Sequence, residues 1–408
     1  MESLKEKYAE VLLKTCLKVE NQPLLISFNS ERLDFVRIIT KIAYKMGITD
    51  IYYDITDPYL KHEALLNLPV EKLKKLSFFD KTKWSEYAKK NAAFLMLASE
   101  NPGLMDDVDP VKIKELIKFS NDTRKDFLFL RDKLQLSWCI AAVPTKSWAK
   151  LIFKTSENPV DDLWMKIFDI CEINSVDPKL VWDKKIKILS KRAKRLNDYN
   201  FKTLKYKNGK GTCFSVSLPK GHIWQSGSET LENGKEILVN FPTEEVFTSP
   251  DYRSANGILY SSKPLSYQGN IIDNFNITFK DGKAVSSYAE IGDKFLKEMI
   301  NTCNNSNYLG EVALVESSSQ ISVTGLTFYE TLYDENASCH FALGASFKEC
   351  IINGVNISKE ELQEVGLNQC DNHVDFMVGT PDLEIIGITE DNDSIKIFEN
   401  GNFTLEFK

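Results

Sequence analysis

Two hydrophobic rhythms divide this chain. Up to about residue 200, short apolar runs alternate with segments whose apolar residues recur every three or four positions. Pro23-Leu24-Leu25-Ile26-Ser27-Phe28 reads as a buried strand. The next segment places Leu33, Val36, Ile39, Ile42 and Met46 near one face, with Ser30 as its N-cap and a stop at Gly47, and so predicts a helix. Ile51-Tyr52-Tyr53 is the following strand. A strand, helix and strand in that order predict a parallel sheet. The runs Ala93–Ala98 and Ser137–Val143 add candidate strands. A further helix starts at Asp177-Pro178, with aspartate as cap and proline at the first helical position, and runs to about Asn197. Beyond it the period drops to two, and the turns Asp281-Gly282 and Asn400-Gly401 predict hairpins. The pattern implies an α/β chain: an N-terminal doubly wound parallel-sheet domain over 1–195 and a C-terminal mixed α+β domain over 196–408.

Composition narrows the function classes. A formal charge of −7 gives no support to nucleic-acid binding. One basic stretch stands out, Lys184-Lys185-Ile186-Lys187 and Lys191-Arg192-Ala193-Lys194-Arg195. Ile188, Leu189 and Leu196 lie at roughly helical spacing within it, so it reads first as a solvated helix face. The alternative is a site for a phosphate or a substrate carboxylate. The amphipathic start and the lack of a membrane-length apolar run predict a protein that is neither secreted nor membrane-embedded. The eight cysteines are scattered and form no C-x-x-C pair, as expected of a reducing compartment. The turn after the first strand, Phe28-Asn29-Ser30-Glu31, has no glycine to let backbone approach a pyrophosphate, so the doubly wound half reads as scaffold rather than dinucleotide site.

Candidate chemistry concentrates in the C-terminal half, in four segments. In Asp371-Asn372-His373-Val374-Asp375-Phe376-Met377-Val378, His373 and Asp375 are two apart and share a strand face, while Val374, Phe376 and Val378 take the other. Imidazole plus carboxylate suits a divalent first-row metal, though for this segment alone a structural histidine hydrogen-bonded to a neighbour is the commoner case. In Leu309-Gly310-Glu311-Val312-Ala313-Leu314-Val315, a carboxylate opens an apolar strand. If buried it needs a cation or a proton, and otherwise it sits in water at the strand end. In Asp334-Glu335-Asn336-Ala337-Ser338-Cys339-His340, a histidine among small residues follows two acids and an amide that are candidate ligands or orienters. In Phe241-Pro242-Thr243-Glu244-Glu245-Val246-Phe247, either glutamate can be a ligand or a surface residue. Together these segments hold nitrogen and oxygen donors for one or two metal ions and no cysteine, which fits a catalytic site better than a structural zinc site.

These segments, in this order and separation, resemble the M29 family of metallo-aminopeptidases (the aminopeptidase T, aminopeptidase S and PepS type). Leu218–Trp224 and Ser254–Gly257 share the resemblance, which spans nearly the whole chain. It implies metal ligands at Glu245, Glu311, His340, His373 and Asp375, with Glu335 as a further candidate ligand. It also implies two divalent ions (zinc or cobalt, with manganese or magnesium as alternatives), a cytoplasmic homodimer, and release of N-terminal residues from peptides with a free N-terminus. Glu311 is the first choice and Glu335 the second for the catalytic carboxylate that handles the water proton. One position departs from the family pattern. A tyrosine is expected seven residues after His340, where it is thought to help stabilise the oxyanion, and this chain has Phe347. Phenylalanine donates no hydrogen bond, so either the metals carry that charge alone, Lys348 or Ser346 substitutes, or the enzyme is slow. Two other functions remain open: a different dinuclear metallohydrolase, or a degenerate family member that binds metal or serves in assembly.

Overall fold

The apolar runs of the N-terminal half become strands β1 (Leu24–Asn29), β2 (Ile51–Thr56), β3 (Ala93–Ala98) and β4 (Trp138–Ala142). They form a parallel sheet in the order β4-β3-β1-β2, with Asn240–Phe241 added beside β4. The structure is a computed structural model. It describes all residues except 75–77, 99, 100, 102, 106 and 269, together with the side chains of 78, 80 and 81. The chain is α/β and divides into two compact units, Met1–Trp182 with Ser228–Pro242, and Asp183–Gly227 with Thr243–Lys408. Among the described residues no helix is long and apolar enough to cross a membrane.

In the first unit, the helix Leu33–Lys45 buries Phe35, Val36, Ile39 and Ile42, each contributing roughly 1.5–3 kcal/mol. Its start differs from the sequence expectation. A 3₁₀ turn over Ser30–Arg32 precedes the helix, and the capping acceptor is Asn29, which takes the Glu31 N–H at 3.1 Å. The added turn moves the first free N–H groups within reach of the earlier side chain, and Ser30 bonds Asp57 instead. The stop is as expected: Gly47 adopts φ +85°, where a side chain is strained.

In the second unit, Asp281 and Gly282, then Asn400 and Gly401, all adopt positive φ. They close the hairpins Asn270–Lys280 with Lys283–Ile291 and Ser394–Glu399 with Asn402–Phe403. These belong to a large antiparallel sheet. A second, five-stranded antiparallel sheet holds β5 (Val246–Thr248), β6 (Leu309–Leu314), β7 (His340–Gly344) and β8 (His373–Met377). Its order is β8-β7-β6-β5, followed by Gln225–Ser226. Val246, Val312, Leu314, Phe341, Leu343 and Phe376 fill the core from one face of it. Leu189, Ala193 and Leu196 of the helix Pro178–Tyr199 reach the same core. Ile188 does not: it is exposed, and Ile186 is buried. Positions 186, 189, 193 and 196 follow the 3.6-residue period, whereas 188 falls off that stripe, about 100° from 189.

Candidate metal centre

The opposite face of the β5–β8 sheet collects the polar residues, and a bulge makes this possible. Strict alternation would place Leu309 and Glu311 on one face. Instead Leu309 pairs with Leu343 and Glu311 with Ala342, so Gly310 is an extra residue and the alternation flips. Leu309 enters the core while Glu311 joins the other side. Gly310 must be glycine, because a Cβ there would lie 2.1 Å from the Ala345 carbonyl oxygen. Register does the rest. Phe247 pairs with Ala313 and Ala313 with His340, Ala342 pairs with Asp375, and Gly344 with His373. Glu245, just before β5, falls in step with Phe247.

Five of the six sequence-predicted residues meet here in two overlapping triplets, Glu245-Glu311-His340 and Glu311-His373-Asp375. Within each, one ligand atom per residue lies within 4.8 Å of the others. His340 Nε2 is 3.3 Å from Glu245 Oε2, and His373 Nε2 is 3.1 Å from Glu311 Oε2 and 3.2 Å from Asp375 Oδ1. Each imidazole is oriented through its other nitrogen. Nδ1 of His340 bonds the Ser338 carbonyl at 3.0 Å and Nδ1 of His373 the Ala345 carbonyl at 2.9 Å. A carbonyl only accepts, so Nδ1 carries the proton and Nε2 can offer a lone pair to the cluster. Glu311 is 4% exposed, which excludes the alternative of a strand-end glutamate in water. The His373 side chain is 25% exposed, against 1% for His340, so the cluster opens to solvent on the His373 side.

The electrostatics are those of buried acids lacking positive charge. Burial pushes the Glu311 carboxyl up to about 7, against the pull of His373. Burial, then Glu245 and Asp375, push Glu335 well above the usual carboxylate range. Burial opposes a charged His340, yet Glu245 and its neighbours raise it to about 10. Burial likewise opposes a charged His373, and Asp375 and Glu311 overcome it. Asp375 falls to about 2, because His373 outweighs its desolvation. Without a metal ion, protons on the two imidazoles hold the acids together, and a divalent cation would replace them. One observation favours the cation: Glu245 Oε2 and Asp375 Oδ1 are buried and face the Nε2 atoms of His340 and His373 at 3.3 and 3.2 Å without well-formed hydrogen bonds, so beside neutral imidazoles they are acceptors that a cation would satisfy. Leaving such atoms unpaired costs about 1–3 kcal/mol each, or more when charged. The residues therefore fit divalent metal, through nitrogen and oxygen donors of the kind zinc, cobalt and manganese take.

Glu335 lies in neither triplet. It ends the short helix Thr331–Glu335, which packs on β8, and it is buried within the field of Glu245, Asp375 and Glu311. The next residue, Asn336, had only its amide to mark it in the sequence. It is fully buried, donates to the Leu332 carbonyl at 2.9 Å and accepts the Glu244 N–H at 2.7 Å. The Glu244 side chain turns away to Lys185 at 2.9 Å. Glu244 is thus held by backbone and side chain, and Glu245 is the glutamate left facing the cluster. Three further cations of the basic stretch are also engaged, Arg192 with Glu316 at 2.6 Å, Lys194 with Asp198 at 3.0 Å and Arg195 with Glu406. This is the solvated-face reading rather than an anion site.

The remaining histidines lie elsewhere. His62 pairs with Asp107 at 2.7 Å in the first unit. His222 is buried, bonded through Nδ1 to the Pro219 carbonyl, and burial lowers its proton affinity. The Phe347 ring packs against the His373 imidazole with centroids 4.8 Å apart, and against Phe247 at 5.4 Å. Ser346 Oγ accepts the Asn368 N–H at 2.9 Å. Only its spacing of two from Glu245 marks Phe247 in the sequence.

Comparison with known proteins agrees with this geometry. The family described as "Thermophilic metalloprotease (M29)" matches residues 1–403. The chain is 37% identical to Aminopeptidase 2 of Geobacillus stearothermophilus, over 98% of each chain. It is 35% identical to Aminopeptidase PepS of Streptococcus thermophilus, again over 98% of each. Among solved structures, wild-type AmpT from Thermus thermophilus superposes with a TM-score of 0.90 at 29% identity, covering 99% of this chain and 100% of that one.

Proposed function

Because the chain belongs to the M29 family of thermophilic metalloproteases and is a metallo-aminopeptidase, we propose that it releases N-terminal residues from peptides with two divalent ions, which Glu245, Glu311, His340, His373 and Asp375 would hold. One observation carries this reading: Glu311 is common to both triplets. Glu245 and His340 would hold one ion, His373 and Asp375 the other, with Glu311 between them. Charge supports the count. The carboxylates of Glu245, Glu311, Glu335 and Asp375 carry together the charge that two divalent ions neutralise.

Two bound divalent ions supply Lewis acidity, polarising the scissile carbonyl and acidifying a water. The protein's part is orientation and proton traffic. The carbonyls of Ser338 and Ala345 fix the imidazoles, and Asn336 with Lys185 fixes the Glu244–Glu245 segment. Glu335 takes the proton of the attacking water and returns it to the departing amine. The sequence favours Glu311 for this task, but Glu311 belongs to both triplets and Glu335 to neither, which leaves Glu335 the freer carboxylate. Phe347 presents an apolar ring where the family pattern expects a hydroxyl, so no protein O–H meets the developing oxyanion from that position. The resemblance supports a cytoplasmic homodimer, which size-exclusion chromatography with light scattering tests.

The test of the function is purified protein loaded with zinc, cobalt or manganese and offered aminoacyl-p-nitroanilides and their N-acetylated counterparts. Hydrolysis of the free-amine substrates alone is expected. No hydrolysis with any metal, together with no metal retained on dialysis, would overturn the reading. Equal cleavage of the acetylated compounds would turn it toward another metallohydrolase.

A further inference from the structure

We infer that Phe247 and Phe347 form an apolar wall that receives the side chain of the substrate's first residue, so that the enzyme favours peptides beginning with a bulky apolar residue. The inference rests on the aminopeptidase reading and deepens it.

Three observations place the wall. Phe247 stands on the same face of the sheet as the metal-facing groups: it follows Glu245 by two positions and pairs across β6 with Ala313, the partner of His340. Phe347 packs on the His373 ring at 4.8 Å and meets Phe247 edge-on at 5.4 Å, so the two phenyl rings and a candidate ligand imidazole form one continuous surface. Both phenylalanines are only half-buried, and His373 is the candidate ligand on which the cluster opens to solvent. Their backbone is set: Phe247 is a sheet residue, and the Phe347 N–H donates to Ser249 Oγ at 2.9 Å.

The chemistry of the substrate then assigns the occupant. An aminopeptidase substrate presents its amine and scissile carbonyl to the ions, and its first side chain branches from the carbon between them. That side chain must lie within a few bonds of the ions. A surface in contact with the His373 ring is within this reach. It is made of phenyl rings, which accept aliphatic or aromatic groups and pair with them edge-on, and which offer nothing to a carboxylate. The missing hydroxyl at Phe347 makes the wall apolar along its length.

The experiment compares kcat/KM for leucyl-, phenylalanyl-, alanyl- and glutamyl-p-nitroanilide in the metal-loaded enzyme and in Phe247→Ala and Phe247→Leu. A hydrophobic pocket separates substrates differing by a methylene about tenfold or more. The leucyl and phenylalanyl substrates should therefore exceed the alanyl by at least about that factor, with the glutamyl lowest. Phe247→Ala should shrink the leucyl-to-alanyl ratio toward one, and Phe247→Leu, which restores apolar bulk, should keep most of it. An unchanged ratio in Phe247→Ala, or a glutamyl substrate that matches the leucyl, overturns the wall while leaving the aminopeptidase intact. If no substrate is cleaved, the aminopeptidase reading fails first. The wall is then judged by melting of the metal-loaded protein with free leucine or glycine: stabilisation at lower leucine concentration upholds it, and equal effects overturn it.

Discussion

Replacing Glu311 with glutamine should distinguish a bridged pair of ions from two separate sites. The side chain is 4% exposed, and Glu311 is the residue common to both triplets, whereas Glu245 serves one and Asp375 the other. Even a residue that merely orients a metal ligand changes affinity by about 10–100-fold. Loss of a ligand carboxylate should cost each ion it touches at least the upper end, about 100-fold, or ~2.7 kcal/mol. Glu311→Gln should therefore weaken both ions, Glu245→Gln one, and Asp375→Asn the other. The assay is competition with a chromophoric chelator at fixed free zinc, with metal counted after dialysis. A second sign follows from the same burial. The Glu311 carboxyl is raised from 4.5 to about 7, so near pH 8 its ionised form opposes the metal-free fold by roughly 3 kcal/mol. That burden is absent below the unfolded-state value of 4.5, builds as pH rises from there to the folded-state value of about 7, and is complete above it. Metal-free Glu311→Gln should accordingly melt higher than the metal-free parent near pH 8, while its gain on adding zinc is smaller. Retention of two tightly held ions in Glu311→Gln, or loss of both in Glu245→Gln, would refute the bridge.

Chelation of the wild type should lower its melting temperature. With free ion about a thousandfold above Kd, binding contributes ~4 kcal/mol per ion, or roughly 10 °C for a unit of this size, read by calorimetry with and without EDTA. Lys185→Met should free the Glu244 side chain and loosen Glu245, weakening one ion about tenfold and leaving the other unchanged in the same chelator titration. Asn336→Ala leaves the part-buried Glu244 N–H and the buried Leu332 carbonyl without the amide, at about 1–3 kcal/mol for the carbonyl and less for the N–H. Its metal-free form should melt several degrees lower. Phe347→Tyr should raise kcat by up to about a hundredfold if the added O–H reaches the oxyanion. An unchanged kcat would show that the ions carry that charge without a protein donor.

Local chemistry made part of this protein legible from the residues alone. The strands β1 to β4 are short apolar runs between turns, and the Asp-Gly and Asn-Gly hairpins follow from the backbone freedom of those residues. His373 and Asp375 could be read as one face because a strand alternates with period two. The same rule fails at Glu311. Alternation counted from Leu309 points the wrong way, and only the pairing of β6 with β7 shows Gly310 as the extra residue that turns Glu311 toward the cluster. The sequence also had no local means to separate Glu244 from Glu245. Resemblance chose between them, and the physical ground is Lys185, 59 residues away, which holds Glu244 aside. The addition of Ser228–Pro242 to the first unit, and the meeting of Phe247 with Phe347, are likewise contacts between distant segments. Periodicity and turn chemistry act over a few residues, so the chain alone determined its elements and the donors available to a metal. Strand register, the bulge and long-range ion pairs act between segments far apart in the chain, and only the folded structure decided which donors meet.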